Sequence, residues 1–250
     1  MPIENRNLII FAVEPAQNLK SIIMKKVIFS FFFLTIAVCA NAQIMRTEEL
    51  VEYVKEKYGE KINWEKAAQD LSTSLSLDKN KALTYVRVIE CDGTTKEQLY
   101  IILNHWFSMT FNDANSVIKL NDKDSGCLIG EGCLAGIATH VGGMLSYKVD
   151  ARPVIKLDIK DGKIRVTYTI QKYDVVIGGG AMAMLGGATV RPVGQSWALD
   201  DCFPFTDKKD KHKKASSKAL VMVDTYSSVL LNMIEEAVKN GVVGNEGDNW

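Results

Sequence analysis

An α+β fold, with a twisted antiparallel sheet covered on one face by helices, follows from three features of this 250-residue chain. A β-branched run at 85–91 precedes an amphipathic helical stretch. Residues 154–171 alternate apolar and polar side chains about a tight turn. A long apolar stripe at helical spacing then closes the chain. The predicted element order is β-α-β-β-β-β-α, preceded by a helical extension.

In chain order, the first readable element is not part of that fold. Met24-Lys25-Lys26 gives a basic start, 27–40 an apolar run, and Ala40-Asn41-Ala42 a small-x-small site before Gln43. That order is what an export signal requires. The run is 14 residues long, whereas a membrane span needs about 20, so cleavage is expected and no integral membrane segment remains after it. Acylation of Cys39 is disfavoured by the bulky Val38 before it. Residues 1–23 precede the basic start and read as an upstream translation-start artefact. Cleavage after Ala42 leaves 208 residues; the removed part carries four basic and two acidic residues, so the remainder has a net charge of −2. A near-neutral chain has no electrostatic drive toward nucleic acid. The expected location is periplasmic or outer-envelope associated.

Residues 43–82 read as a helical extension. Leu50, Val51, Val54 and Tyr58 share one helical face ending at Gly59, and Trp64, Ala67, Ala68, Leu71 and Leu75 share another after Asn63, a good N-cap. The main domain is expected over 83–241. Tyr85 to Cys91 reads as a strand. Thr94-x-x-Glu97 fits a capping box before a helix, whose stripe is Leu99, Ile102, Leu103, Trp106 and Phe107. Strands are expected at 116–120 and, glycine-rich, at 127–136. Residues 154–159 and 163–171 make a hairpin through Asp161-Gly162, a pair that favours a two-residue turn. Ile164, Val166, Tyr168 and Ile170 alternate with Arg165, Thr167, Thr169 and Gln171, which predicts one buried and one solvated face. Residues 173–214 read as an irregular, Gly-rich insertion. A final helix is expected from about 216, with Val223, Tyr226, Val229, Leu230, Met233, Ile234 and Ala237 as its stripe, up to Gly241. Residues 242–250 read as a tail. Cys91, Cys127, Cys133 and Cys202 remain after cleavage and fit either disulfides or buried thiols. On one continuous strand, Cys127 and Cys133 lie about 20 Å apart, too far to bond.

Thr95-Lys96-Glu97-Gln98-Leu99-Tyr100, His105-Trp106-Phe107 and Lys123-Asp124-Ser125-Gly126-Cys127-Leu128-Ile129-Gly130-Glu131-Gly132 carry a further signal. Over about 85–172 the chain resembles a secreted Bacteroidetes family of unknown function, domain of unknown function 4468, with a TATA-binding-protein-like fold. A Ser-Gly turn leading to an Ile-Gly-x-Gly strand is that family's pattern. Cys127 stands where the pattern has a basic residue. The resemblance implies a TBP-like fold and an exported location. It implies no activity, and the fold name implies no DNA binding.

No residue set points to a cofactor. The glycine-rich stretch 177–188 leads into Thr189-Val190-Arg191-Pro192, which starts no helix, so a phosphate cradle is disfavoured. It reads instead as a flexible apolar loop with Met182, Met184 and Leu185 as an interaction tip. Trp197 is expected to be an exposed platform beside it. His105, His140 and His212 lack metal-ligand spacing. Asp200-Asp201-Cys202 could supply a thiol nucleophile, but nothing in the sequence fixes its geometry. The expected role is therefore a non-enzymatic exported envelope protein. It would bind a protein or small-molecule ligand through the open sheet face at Arg165, Thr167, Thr169 and Gln171. The alternative is a periplasmic hydrolase with a site in 173–214.

Overall fold

The computed structural model describes residues 45–111, 114–186, 191–210 and 212–240. The predicted signal, the segment before it and the predicted tail lie outside the described residues, as does the side chain of Met184. The first two helices among the described residues are α1 (Thr47–Tyr58) and α2 (Trp64–Leu71). Gly59 ends α1 with a φ of 84°, a conformation that costs glycine little. Asn63 caps α2, its side chain accepting from the Lys66 N–H at 3.1 Å.

Strand β1 (Leu83–Glu90) leads into helix α3 (Lys96–Thr110). The capping box of α3 lies one residue later than predicted: the Thr95 hydroxyl accepts from the Gln98 N–H, and Gln98 Oε1 accepts from the Thr95 N–H at 2.9 Å. Thr94 is instead held in the preceding turn, its N–H donating to the Cys91 carbonyl. The predicted stripe is placed as expected, with Leu99, Leu103, Trp106 and Phe107 buried.

A helical turn, α4 (Ala114–Val117), precedes β2 (Ile118–Asp122), so the strand expected at 116–120 starts two residues later. The strand expected at 127–136 is two: β3 (Cys127–Glu131) and β4 (Leu134–Val141). Then follow β5 (Leu145–Ala151), β6 (Val154–Lys160), β7 (Lys163–Ile170), β8 (Lys172–Gly179), a helical turn α5 (Ala181–Met184), β9 (Val193–Ala198), a 3₁₀ turn (Leu199–Asp201) and helix α6 (Lys213–Asn240). Strands β5, β8 and β9 were not foreseen. The region expected to be irregular thus holds two strands, β8 and β9, with turns and loop between and after them.

All pairings are antiparallel, in a five-stranded order β1-β7-β6-β3-β2 and a four-stranded order β4-β5-β8-β9. The two share a plan. Pairs β3/β4, β5/β6 and β7/β8 each pass from one sheet to the other and keep the same neighbours. They behave as three long strands bent at 132–133, 152–153 and 171. Pro153, which has no N–H to give a ladder, sits at the middle bend, and its carbonyl accepts from the Gly132 N–H at 2.8 Å. At 171 the buried set slips by one residue, from Ile170 to Tyr173.

The inner face carries Ile155, Leu157, Ile159, Ile164, Val166, Tyr168 and Ile170, all buried. Helix α6 packs against β4, β5 and β1 and against α3, while α1 and α2 pack on α6. From Ala215 to Ser227 every α6 residue except Lys218 is buried. A helix buried all round needs layers on both sides; here they are the sheet and the α1–α2 pair. The helices therefore lie on one face of the sheet, two deep.

Candidate functional site

The outer face of the five-stranded half holds the residues the sequence singles out. Register aligns Val86 with Thr167 and Lys156, and Val88 with Arg165 and Asp158. Arg165 is exposed, Thr167 and Thr169 are half-buried, and Gln171 is exposed at the bend. Partial burial alone would raise the Asp158 carboxyl, but Lys156 at 2.8 Å and Arg165 at 2.7 Å hold it below the ordinary range. Beside this ion cluster, Val86 and Val88 on edge strand β1 are 58% and 53% exposed. That face thus pairs an apolar edge strip with an ion-paired centre in which two cations share one carboxylate.

The Gly-rich segment differs from the flexible loop expected. Residues 172–179 are strand β8, and α5 docks on the β4–β5 turn. The N–H groups of Gly180, Ala181 and Met182 donate to the carbonyls of Met144, Gly142 and Gly143, each at 2.9 Å. A Cβ on Gly180 would lie 2.3 Å from the Gly142 oxygen, so glycine here permits close backbone approach. The resulting end of the sheet gathers exposed Met182 (64%), Leu185 (87%), Met144 (77%), Val141, Leu145 and Val193.

Trp197 is no exposed platform. It is buried, pairs with Tyr173 across the β8–β9 ladder, and stacks on His212 with ring centroids 4.5 Å apart. Sequence reading missed this because β9 has a single buried side chain and hence no alternation. His212 also meets Tyr147 at 4.7 Å, and Tyr147 stacks on His140.

The candidates in 173–214 do not converge. Asp200 pairs with Lys81 at 2.5 Å and Asp201 with Lys208 at 3.6 Å. Burial, reinforced by Asp210, Asp201 and Asp200, pushes the Cys202 thiol up to about 12. A thiol that resists ionisation is a poor nucleophile. His105 lies on α3, away from His140 and His212 in the chain, and no group of His, Cys, Asp and Glu suited to a metal occurs among the described residues. Cys91, Cys127 and Cys202 are free, so Cys127 is not bonded to Cys133. The break between β3 and β4 removes the single-strand geometry on which that expectation rested.

Two glycines of the family pattern have visible jobs. Gly126 takes a φ of 68°, and a Cβ there would lie 2.6 Å from the Ile159 oxygen. Gly130 faces Phe107, whose ring would be 2.6 Å from a Cβ.

A family model described as "Domain of unknown function (DUF4468) with TBP-like fold" matches residues 85–173. No curated protein matches the chain. A TBP-like protein of known structure from Parabacteroides distasonis is 11% identical, with a TM-score of 0.43, covering 64% of this chain and 95% of its own. A DUF4468 family protein from Bacteroides ovatus is 12% identical, with a TM-score of 0.41, covering 66% and 90%. The matched stretch, residues 85–173, runs from β1 to the start of β8 and is thus similar to the DUF4468 family, a family of unknown function with a TBP-like fold.

Proposed function

We propose that this is an exported, non-enzymatic protein of the cell envelope that binds a partner protein or ligand through the outer face of its five-stranded sheet. Export rests on the basic, apolar and small-residue order of 24–42. Binding rests on one observation: Val86 and Val88 stay more than half exposed beside Thr167 and Arg165, on a face that no helix among the described residues covers. Neighbouring apolar and hydrogen-bonding groups on a preformed sheet suit recognition without reorganisation. Photo-crosslinkers at Val86 and at Thr167 in the exporting cell test this, with one at Ile101 on α3 as control. Discrete adducts are expected at 86 and 167 and none at 101. Equal labelling at all three, or none at 86 and 167, contradicts the reading. N-terminal sequencing of the native protein checks export independently, with Gln43 expected first.

A further inference from the structure

Lys218 is the one residue between Ala215 and Ser227 that the fold does not bury. Its ammonium lies 5.3 Å above the Trp64 ring. Partial burial lowers its pKa, and no carboxylate among the described residues pairs with it. It lines a cleft of about 610 Å³ with Lys61 from the turn before α2, Trp64 from the start of α2, Thr139 and His140 from β4, and Lys214 from α6. Lys61 and Lys214 are likewise without ion pairs among the described residues. The one acidic lining residue, Glu65, is taken by Lys213 at 3.0 Å. Asp210 is turned to the helix end, accepting from the Ser216 hydroxyl and the His212 N–H, each at 2.6 Å.

The cleft also sits beside the first turns of α6, where the helix dipole is positive and no acidic side chain occupies the first turn. Lysines placed there repel that dipole and one another. A fold that lines a cleft with three lysines, and gives its one lining carboxylate to Lys213, leaves the lining lysines' positive potential unanswered, and a cleft focuses it. Trp64 and Ile62 add an apolar wall.

We propose that this cleft binds a small organic oxyanion, a carboxylate or phosphate whose ring or apolar part rests against Trp64. The charged group meets Lys214 and Lys218, and the tryptophan supplies contact area that a bare inorganic ion cannot use. The site shares no residue with the outer sheet face, so it stands or falls independently of the function proposed above.

The test uses the full chain with its lysines dimethylated with ¹³C, titrated at constant ionic strength. Probes are inorganic phosphate, phenyl phosphate and benzoate. Lys214 and Lys218 signals should shift saturably with phenyl phosphate or benzoate, at a Kd below about 1 mM. Whichever of the two binds tighter identifies the headgroup. Inorganic phosphate should bind about tenfold more weakly than phenyl phosphate, lacking the ring. Lys214→Ala, an exposed change that leaves the fold intact, should weaken binding severalfold, and Lys218→Met by about tenfold or more. Linear shifts shared with Lys160 and Lys172 would mean ionic screening only and overturn the proposal. So would saturable binding that both variants retain at full strength.

Discussion

At the residue scale, the family pattern reads as a set of packing constraints. Gly130 lets the Phe107 ring approach β3 closely, and a methyl there must displace an aromatic side chain that is itself stacked on Phe111 at 5.5 Å. Gly130→Ala should therefore cost about 1–3 kcal/mol, read as a lower urea midpoint at unchanged slope. Cys202 makes a different prediction. Its folded-state pKa lies at about 12, above its ordinary 9.0, chiefly because it is buried. A raised pKa gives stability that is whole below the unfolded value and is lost as pH climbs toward the folded one. The contribution should thus hold up to about pH 9 and decline beyond it. In the native protein at pH 8, Cys202 should resist a disulfide reagent that labels it readily in denaturant. Fast native labelling, located by peptide mapping, would show an accessible thiol and reopen its candidacy as a nucleophile.

At the element scale, legibility in the sequence followed solvent exposure. Strand β7 was readable because its outer face is wet, so Ile164 to Ile170 alternate with polar neighbours. Helix α3 was readable from its stripe, and Trp106→Ala should cost about 3–5 kcal/mol, since Trp106 is 5% exposed and meets Phe107 and Phe111 edge-on. Strand β8 was hidden because Val175, Val176 and Ile177 are consecutive and run into glycines that usually signal a loop. Its end is nonetheless defined by three backbone hydrogen bonds onto the β4–β5 turn. Gly180→Ala places a methyl inside the contact distance of the Gly142 oxygen and the Leu145 nitrogen. It should release α5 while leaving the core intact. Cleavage between 181 and 186 should become faster, with little change in Tm. An unchanged digestion pattern would mean that the turn yields and α5 stays docked.

At the scale of the whole molecule, what escaped the sequence is the joining of distant segments. The cationic cleft draws on 61–65, 139–140 and 214–218, and no motif or periodicity links these. The same holds for the layer that α1 and α2 form on α6. Their apolar stripes were legible, but their partner was not, because a helix buried on every side shows no amphipathic face pointing to one neighbour. Asp224 marks that junction. It is nearly buried and accepts from Lys57 of α1 at 3.1 Å and from the Tyr85 hydroxyl at 3.3 Å. Removing Lys57 strands a carboxylate. Because the lysine is itself half exposed, water moderates the loss, and Lys57→Met should cost about 1–3 kcal/mol. Lys57→Met/Asp224→Asn should recover part of it. The same packing decides how the first two helices relate to the family domain, whose match begins only at residue 85. Without α1 and α2, one side of α6 faces water along the stretch 215–227, including apolar side chains now wholly covered. Soluble monomers seldom tolerate an apolar patch of that kind. A fragment starting at residue 83 should therefore aggregate or bind a hydrophobic dye strongly, and adding residues 43–82 back in the same chain should suppress both. A monodisperse fragment that unfolds cooperatively at the parent's midpoint would show that α1 and α2 decorate the domain without completing its core.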